Sequence, residues 1–213
     1  LVFYFKSIGF FMESKVFLFQ VYKVDIFFPR SNGGLNAFRG DFQGNGKNGE
    51  QNFIEQVKLA GGRPVPVATK NYQLDCEAIE AAVTPRTKAI LINSPNNPSG
   101  TVYPMADLQK IARLADDHDL FMVADEAYNA FVYDGGVCAS MFDIKMVRDR
   151  LIVTRSFSKS YSMTGFRIGY VAAPAEIINA LSKIQSHLTG NVCTFAQYGA
   201  MAALALEEDW LSG

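Results

Sequence analysis

The sequence predicts a layered α/β fold with parallel strands, on the strength of three apolar runs that each end in polar, chemically capable residues. Lys88–Ile92 runs into Asn93-Ser94-Pro95-Asn96-Asn97-Pro98-Ser99-Gly100, and Leu120–Ala124 runs into Asp125-Glu126-Ala127-Tyr128. Leu151–Thr154 leads to Ser156-Phe157-Ser158-Lys159. Each run has the length and content of a buried parallel strand. Helical patterns stand between and after them, and helices alternating with short apolar strands mean a layered α/β fold. In open α/β sheets, ligands bind beyond the carboxyl ends of the strands. The three runs therefore deliver Asn97, Asp125, Tyr128 and Lys159 to one edge of one sheet.

The remaining elements follow in order. A helix covers Phe53–Ala60 and is ended by Gly61-Gly62. A strand at Pro64–Ala68 and a short helix at Asp75–Val83 come next. Ala106–Asp117 reads as a helix with Leu108, Ile111 and Leu114 on one face. Ser140–Val147 is a helix or a loop, and Arg167–Ala172 is a further strand. Pro174–Leu188 is a helix with proline in its first turn and Ile177, Leu181, Ile184 and Leu188 aligned. Thr194–Leu206 is a second apolar helix, and no internal repeat is visible.

A length of 213 residues fits one large domain or a little more, and a net charge of −1 without a basic cluster argues against a nucleic-acid surface. Cys76, Cys138 and Cys193 show no metal or redox spacing, which points to a reducing, cytoplasmic setting. His118 and His187 lie in helical patterns as surface or packing residues, and no metal site is expected.

The first 53 residues are different in kind, holding eleven of the seventeen phenylalanines. Leu1–Arg30 is apolar but broken by Lys6, Glu13, Lys15, Lys23 and Asp25. A membrane span needs about 20 nearly uncharged residues, and a secretory signal needs a basic start and a small-residue cleavage site. Val16–Phe28 is expected to form strands, and Ser31–Asn52, rich in Gly and Asn, a loop or a disordered stretch. Gly44-Asn45-Gly46-Lys47-Asn48-Gly49 is a literal GxGxxG. It lacks the buried strand before it that a dinucleotide site requires.

The chemistry gathers around Lys159, flanked by small hydroxyl residues and followed eight positions later by Arg167. A covalent aldehyde cofactor needs an amine to form an imine, and hydroxyls with an arginine to hold a phosphate. Taken singly, Asp125 reads as a helix N-cap, Asn97 as a turn residue, and Lys159 and Arg167 as surface charges. Their joint placement on consecutive strand ends argues for one site.

In order, spacing and strand context, these three segments resemble the large domain of a fold-type I pyridoxal-phosphate aminotransferase of the aspartate-aminotransferase-like class I and II group. The likeness runs from Ile54 to Leu206 and includes Glu55-Gln56-Val57-Lys58-Leu59-Ala60-Gly61-Gly62. It implies a three-layer α-β-α domain with a mostly parallel mixed sheet, and pyridoxal 5'-phosphate as cofactor. Lys159 is then the Schiff-base lysine and proton-moving base, and Asp125 faces the pyridine nitrogen. Tyr128 and Asn97 meet the phenolic oxygen, while Ser156, Ser158 and Arg167 hold the phosphate. The resemblance further implies a cis Asn97-Pro98 bond, amino acid and 2-oxo acid substrates, and a homodimer that completes the active site.

The family's glycine-rich phosphate loop and ring-stacking aromatic are not recognisable in residues 1–53, and its carboxylate-clamping arginine belongs to a C-terminal small domain. The expected organisation is an atypical segment over 1–53 and a cofactor-binding large domain over 54–213 without the small domain. The expected activity is transamination. A PLP-dependent lyase of the same fold and a truncated, non-catalytic PLP-binding or subunit-pairing module are the alternatives.

Overall fold

A computed structural model of the chain describes residues 2–3, 15–20, 50–188 and 190–206. Its six-stranded sheet is built from β1 (Val2–Phe3), β2 (Lys15–Gln20), β3 (Ala89–Asn93), β4 (Phe121–Asp125), β5 (Leu151–Ser156) and β6 (Ile168–Ala173). The spatial order is β1-β2-β6-β5-β4-β3. β3, β4 and β5 pair in parallel, whereas β6 is antiparallel to β5 and β2, and β1 is antiparallel to β2. Four of the six strands, β2 to β5, therefore run in one direction.

The helices are α1 (Glu50–Leu59), α2 (Cys76–Ala82), α3 (Met105–Asp117), α4 (Phe157–Ser160), α5 (Ala175–Leu188) and α6 (Thr194–Leu204). Asp75 caps α2 by accepting from the Ala78 N–H at 3.0 Å. α3 is the crossover that a parallel β3–β4 pair requires. It buries Leu108, Ile111, Ala112, Leu114 and Ala115, the spacing of one helical face.

Strand alternation sorts the layers. One face presents Ile92, Met122, Ala124, Leu151 and Val153 to α3 and to Met141 and Val147 of two 3-10 turns, Met141–Asp143 and Lys145–Arg150. The same face continues across β6, where Ile168 and Tyr170 meet Ala196, Ala200 and Ala203 of α6. The opposite face packs Ile152, Val171 and Ala173 against Ile177, Ile178 and Leu181 of α5. Helices on both faces of a mixed sheet make the expected three-layer α/β architecture. Among the described residues no helix is long and apolar enough to cross a membrane.

Several expectations need correction. Pro64–Ala68 is not a strand: the segment is irregular, and only an isolated Lys70–Gln73 bridge follows it. Pro64 and Pro66 remove alternate N–H donors, so one edge of the segment cannot join a ladder. Ser140–Val147, read as a helix or a loop, resolves into parts of two 3-10 turns. In α5 the aligned stripe ends before Leu188, which is exposed, and the buried residue is Ile178. α6 stops at Leu204. The expected loop over Ser31–Asn52 gives its last three residues to α1. The Val16–Phe28 strands are realised within Lys15–Gln20, which adds to the sheet beside β6. The rest of that stretch, the Gly44–Gly49 motif and most of residues 1–53 lie outside the described residues.

Ile111 is fully buried in the α3 core, so Ile111→Ala should lower unfolding stability by about 2–5 kcal/mol. Tyr133, 75% exposed, should tolerate alanine within about 0.5 kcal/mol. Urea unfolding of the two variants checks both, and equal losses would contradict this packing.

Candidate active site

β3 ends in Asn93, whose carboxamide ties down the loop that follows. Its Nδ2 donates to the Asp125 carbonyl at 3.1 Å, while its Oδ1 accepts from the Asn97 N–H at 3.2 Å and from Asn96 Nδ2 at 3.3 Å. The Ser94 N–H also donates to the Asp125 carbonyl. Both Ser94-Pro95 and Asn97-Pro98 are cis, the second as the resemblance implied. Asn97 Nδ2 then donates to the Tyr128 hydroxyl at 3.2 Å.

β4 ends in Asp125, on the same face as Asn93 and Thr154 by register. Its Oδ1 accepts from the Ala127 N–H at 3.1 Å and from the Thr154 hydroxyl at 3.4 Å. Burial pushes the Asp125 carboxyl above its ordinary range. The Ala127 and Thr154 donors offset part of that rise, and the neighbouring Glu126 charge adds to it. Tyr128 lies beyond, with Lys159 Nζ 5.5 Å from its ring centroid.

β5 carries the chain into α4, a single turn. Ser156 caps that turn by accepting from the Ser158 N–H at 3.2 Å. Phe157 anchors it: fully buried, it packs its ring 5.3 Å from Tyr161 and 5.7 Å from Tyr170. Two residues on, Lys159 is exposed at the sheet edge, one turn past the strand rather than at its end. Ser158 Oγ is buried and has no hydrogen-bond partner among the described residues. Arg167 reaches the same edge because β6 is antiparallel: Gly169, two residues later, pairs with Ser156. Arg167 adopts a left-handed backbone (φ 52°) and donates from Nη1 to the Thr164 carbonyl at 2.9 Å.

The structure thus brings Asn97, Tyr128, Asp125 and Lys159 together by direct contacts or strand register, with Ser156, Ser158 and Arg167 at the same edge. Among the described residues no three His, Cys, Asp or Glu side chains gather as a metal site.

A family profile described as aminotransferase class I and II matches residues 51–212. The chain belongs to this family. A probable aspartate/prephenate aminotransferase of Aquifex aeolicus is 46% identical over 156 residues, 71% of this chain and 40% of that protein. An aspartate aminotransferase of Bacillus sp. (strain YM-2) is 44% identical over 155 residues, 71% of this chain and 40% of its own length. Among solved structures, the aromatic aminotransferase of Pyrococcus horikoshii OT3 superposes with a TM-score of 0.72 at 38% identity, covering 76% of this chain and 44% of that one. The chain spans about two fifths of the length of these relatives.

Class I and II aminotransferases use pyridoxal 5'-phosphate, and the residues here fit it. The unpartnered Ser158 hydroxyl lacks the acceptor that a phosphate oxygen offers. The partly buried Asp125 carboxylate has no cationic partner among the described residues, and a protonated pyridine nitrogen offers one. Sequence reasoning missed Asn93, Thr154, Glu126 and Arg155. One signal was present: Arg155 shares a strand face with Leu151 and Val153, and a buried-face arginine demands a carboxylate.

Because Asp125 binds its proton more tightly when folded, its contribution to stability is full below the ordinary value of 3.8. That contribution is lost as pH rises through the higher folded value. Asp125→Asn removes the loss while keeping an acceptor for Ala127. The cofactor-free variant should unfold at higher urea than the parent at neutral pH, and the difference should vanish near about pH 3. A pH-independent difference would contradict the burial argument.

Proposed function

We propose that this chain carries the cofactor-binding part of an aminotransferase that moves an amino group between an L-amino acid and a 2-oxo acid. The observation that supports it most is the contact set Asn97–Tyr128–Lys159 beside the partly buried Asp125 at one strand edge. Pyridoxal phosphate, when bound, supplies an aldehyde for an amine and a ring that accepts the electron pair of a broken C–H bond. Lys159 is the amine of the site and, once the substrate's amine takes its place, the base that moves the proton on the substrate α-carbon. Asp125 keeps the ring nitrogen protonated by placing a carboxylate against it in a desolvated spot. Asn97 donates to the Tyr128 oxygen, which leaves the tyrosine O–H free to donate to the ring's phenolic oxygen.

Ser156, Ser158 and Arg167 hold the phosphate, the arginine fork suiting two oxygens at once. The named relatives include aspartate/prephenate and aromatic-amino-acid aminotransferases, so acidic and aromatic amino acids are the first substrates to offer. A homodimer belongs to the same reading. α6 buries Ala196, Ala200 and Ala203 against the sheet yet exposes Phe195, Tyr198, Met201 and Leu204, a second apolar face for another copy to cover. The three free cysteines suit a reducing, cytoplasmic setting.

Titration with pyridoxal phosphate, followed by borohydride and peptide mass analysis, should give a visible band and a label on Lys159. Lys159→Ala should fold, give no band, and slow the amino-acid half-reaction by about 10²-fold or more. A label on another lysine, or a band in the alanine variant, would overturn the assignment.

A further inference from the structure

One ion pair, between the buried Glu126 and the partly buried Arg155, has no part in the mechanism above. Glu126 is 2% exposed and its carboxylate is surrounded by donors. It accepts from Ser140 Oγ at 2.8 and 2.9 Å, from the Met141 N–H at 2.9 Å, and from Arg155 Nε and Nη2 at 3.0 and 2.7 Å. Arg155 Nη2 also donates to Ser140 Oγ at 3.2 Å. Tyr170 is the cross-strand neighbour of Arg155 on β6. Burial works against the Arg155 charge, but Tyr170 and Glu126 outweigh it and hold the guanidinium above its ordinary range.

The pair's place in the chain gives it a consequence for the site. Glu126 directly follows Asp125, and Arg155 directly precedes Ser156. The parallel ladder of β4 and β5 ends at Asp125 and Thr154, with one more bond from the Glu126 N–H to the Thr154 carbonyl at 2.9 Å. Beyond that point the Ser156–Lys159 turn is paired through its strand only to β6. The Glu126–Arg155 contact is the next link between β4 and the turn that carries Lys159. An apolar pair could fill this space at similar or better stability. Two guanidinium nitrogens converging on Glu126 Oε2, with Oε1 held by the Met141 N–H, add a fixed direction that apolar packing does not.

We propose that the Glu126–Arg155 pair is a positioning device, which fixes the Lys159 turn relative to Asp125 from the opposite face of the sheet. The inference rests on the pyridoxal-phosphate reading. The test compares Arg155→Met, Arg155→Lys and the double variant Glu126→Leu/Arg155→Met in the full chain. Each is titrated with pyridoxal phosphate, with visible circular dichroism per bound cofactor recorded beside urea midpoints.

Arg155→Met should bind pyridoxal phosphate on the order of tenfold more weakly, the size of coupling within one hydrogen-bond network, with altered visible dichroism. Arg155→Lys, which keeps the charge, should recover part of both. The double variant leaves no buried charge unpaired and separates position from stability: it should fold, yet bind weakly with altered dichroism. Parental affinity and dichroism in the double variant, or in Arg155→Lys and Arg155→Met alike, would reduce the pair to a structural role and overturn the proposal. If the parent chain itself gives no visible band, the cofactor reading fails and the proposal falls with it. Unchanged spectra beside a parental band would sink the positioning role alone.

Discussion

Asp125 and Glu126 share a peptide bond yet sit in different chemistry, because successive side chains of an extended strand point to opposite faces of a sheet. On one face Asp125 keeps company with Thr154 and Asn93 at the open strand edge. On the other, Glu126 is enclosed by Ser140, Met141 and Arg155. A slip of one residue in the β4–β5 register would exchange these environments. Asp125 would enter the buried network, and Glu126 would reach the open strand edge. Register is held by what lies under the sheet, where Met122, Ala124, Leu151 and Val153 lock against α3. The core of the domain therefore decides which of two adjacent acids stands at the open strand edge and which joins the buried network.

The antiparallel strand β6 solves a separate problem. A parallel neighbour would place its amino end far from the carboxyl end of β5, and a residue entering it could not join the site. Reversing β6 sets Arg167 beside Ser156, only eleven residues away in the chain. The short link between them is held from below: Phe157, Met163 and Ile168 share one apolar cluster with Ala196 and Ala200 of α6. Gly199 makes that approach possible, since an added Cβ would lie 3.2 Å from Met163 Cε and 3.3 Å from Phe166 Cε1. The turn bearing Lys159 is thus open above and packed beneath.

How far the sequence disclosed this differs from element to element. The three apolar runs and their polar ends are local signals, and the residues they deliver could be named before any contact was known. The structure adds a direct bond between two of them, from Asn97 to the Tyr128 hydroxyl. Asn93 and the Glu126–Arg155 pair were not named, because their roles arise from partners 29 to 32 residues away that only strand register brings together. Pro64–Ala68 failed for the opposite reason. Its alternation mimics a strand, but Pro64 and Pro66 withhold donors, a veto that composition and length do not carry. The segment before Glu50 has no such periodic signal over most of its length, and its one described interior strand joins the sheet through β6.

The site also carries a cost that explains its chemistry. Asp125 is partly buried beside another acid, and Ser158 presents a buried hydroxyl with no partner among the described residues. Left alone, each lowers stability: the Asp125 carboxylate loses water that the Ala127 and Thr154 donors replace only in part, and the Ser158 hydroxyl loses water without gaining a partner. A ligand with a protonated ring nitrogen at one end and a phosphate at the other relieves both. Binding energy is then available because the folded chain has held these groups in place and out of water before the ligand arrives. The same reasoning separates the two acids again. Glu126 has its donors within the protein and gains nothing from a ligand, so it can serve as a fixed support. Asp125 has no cationic partner among the described residues, which suits the cofactor-facing role proposed for it.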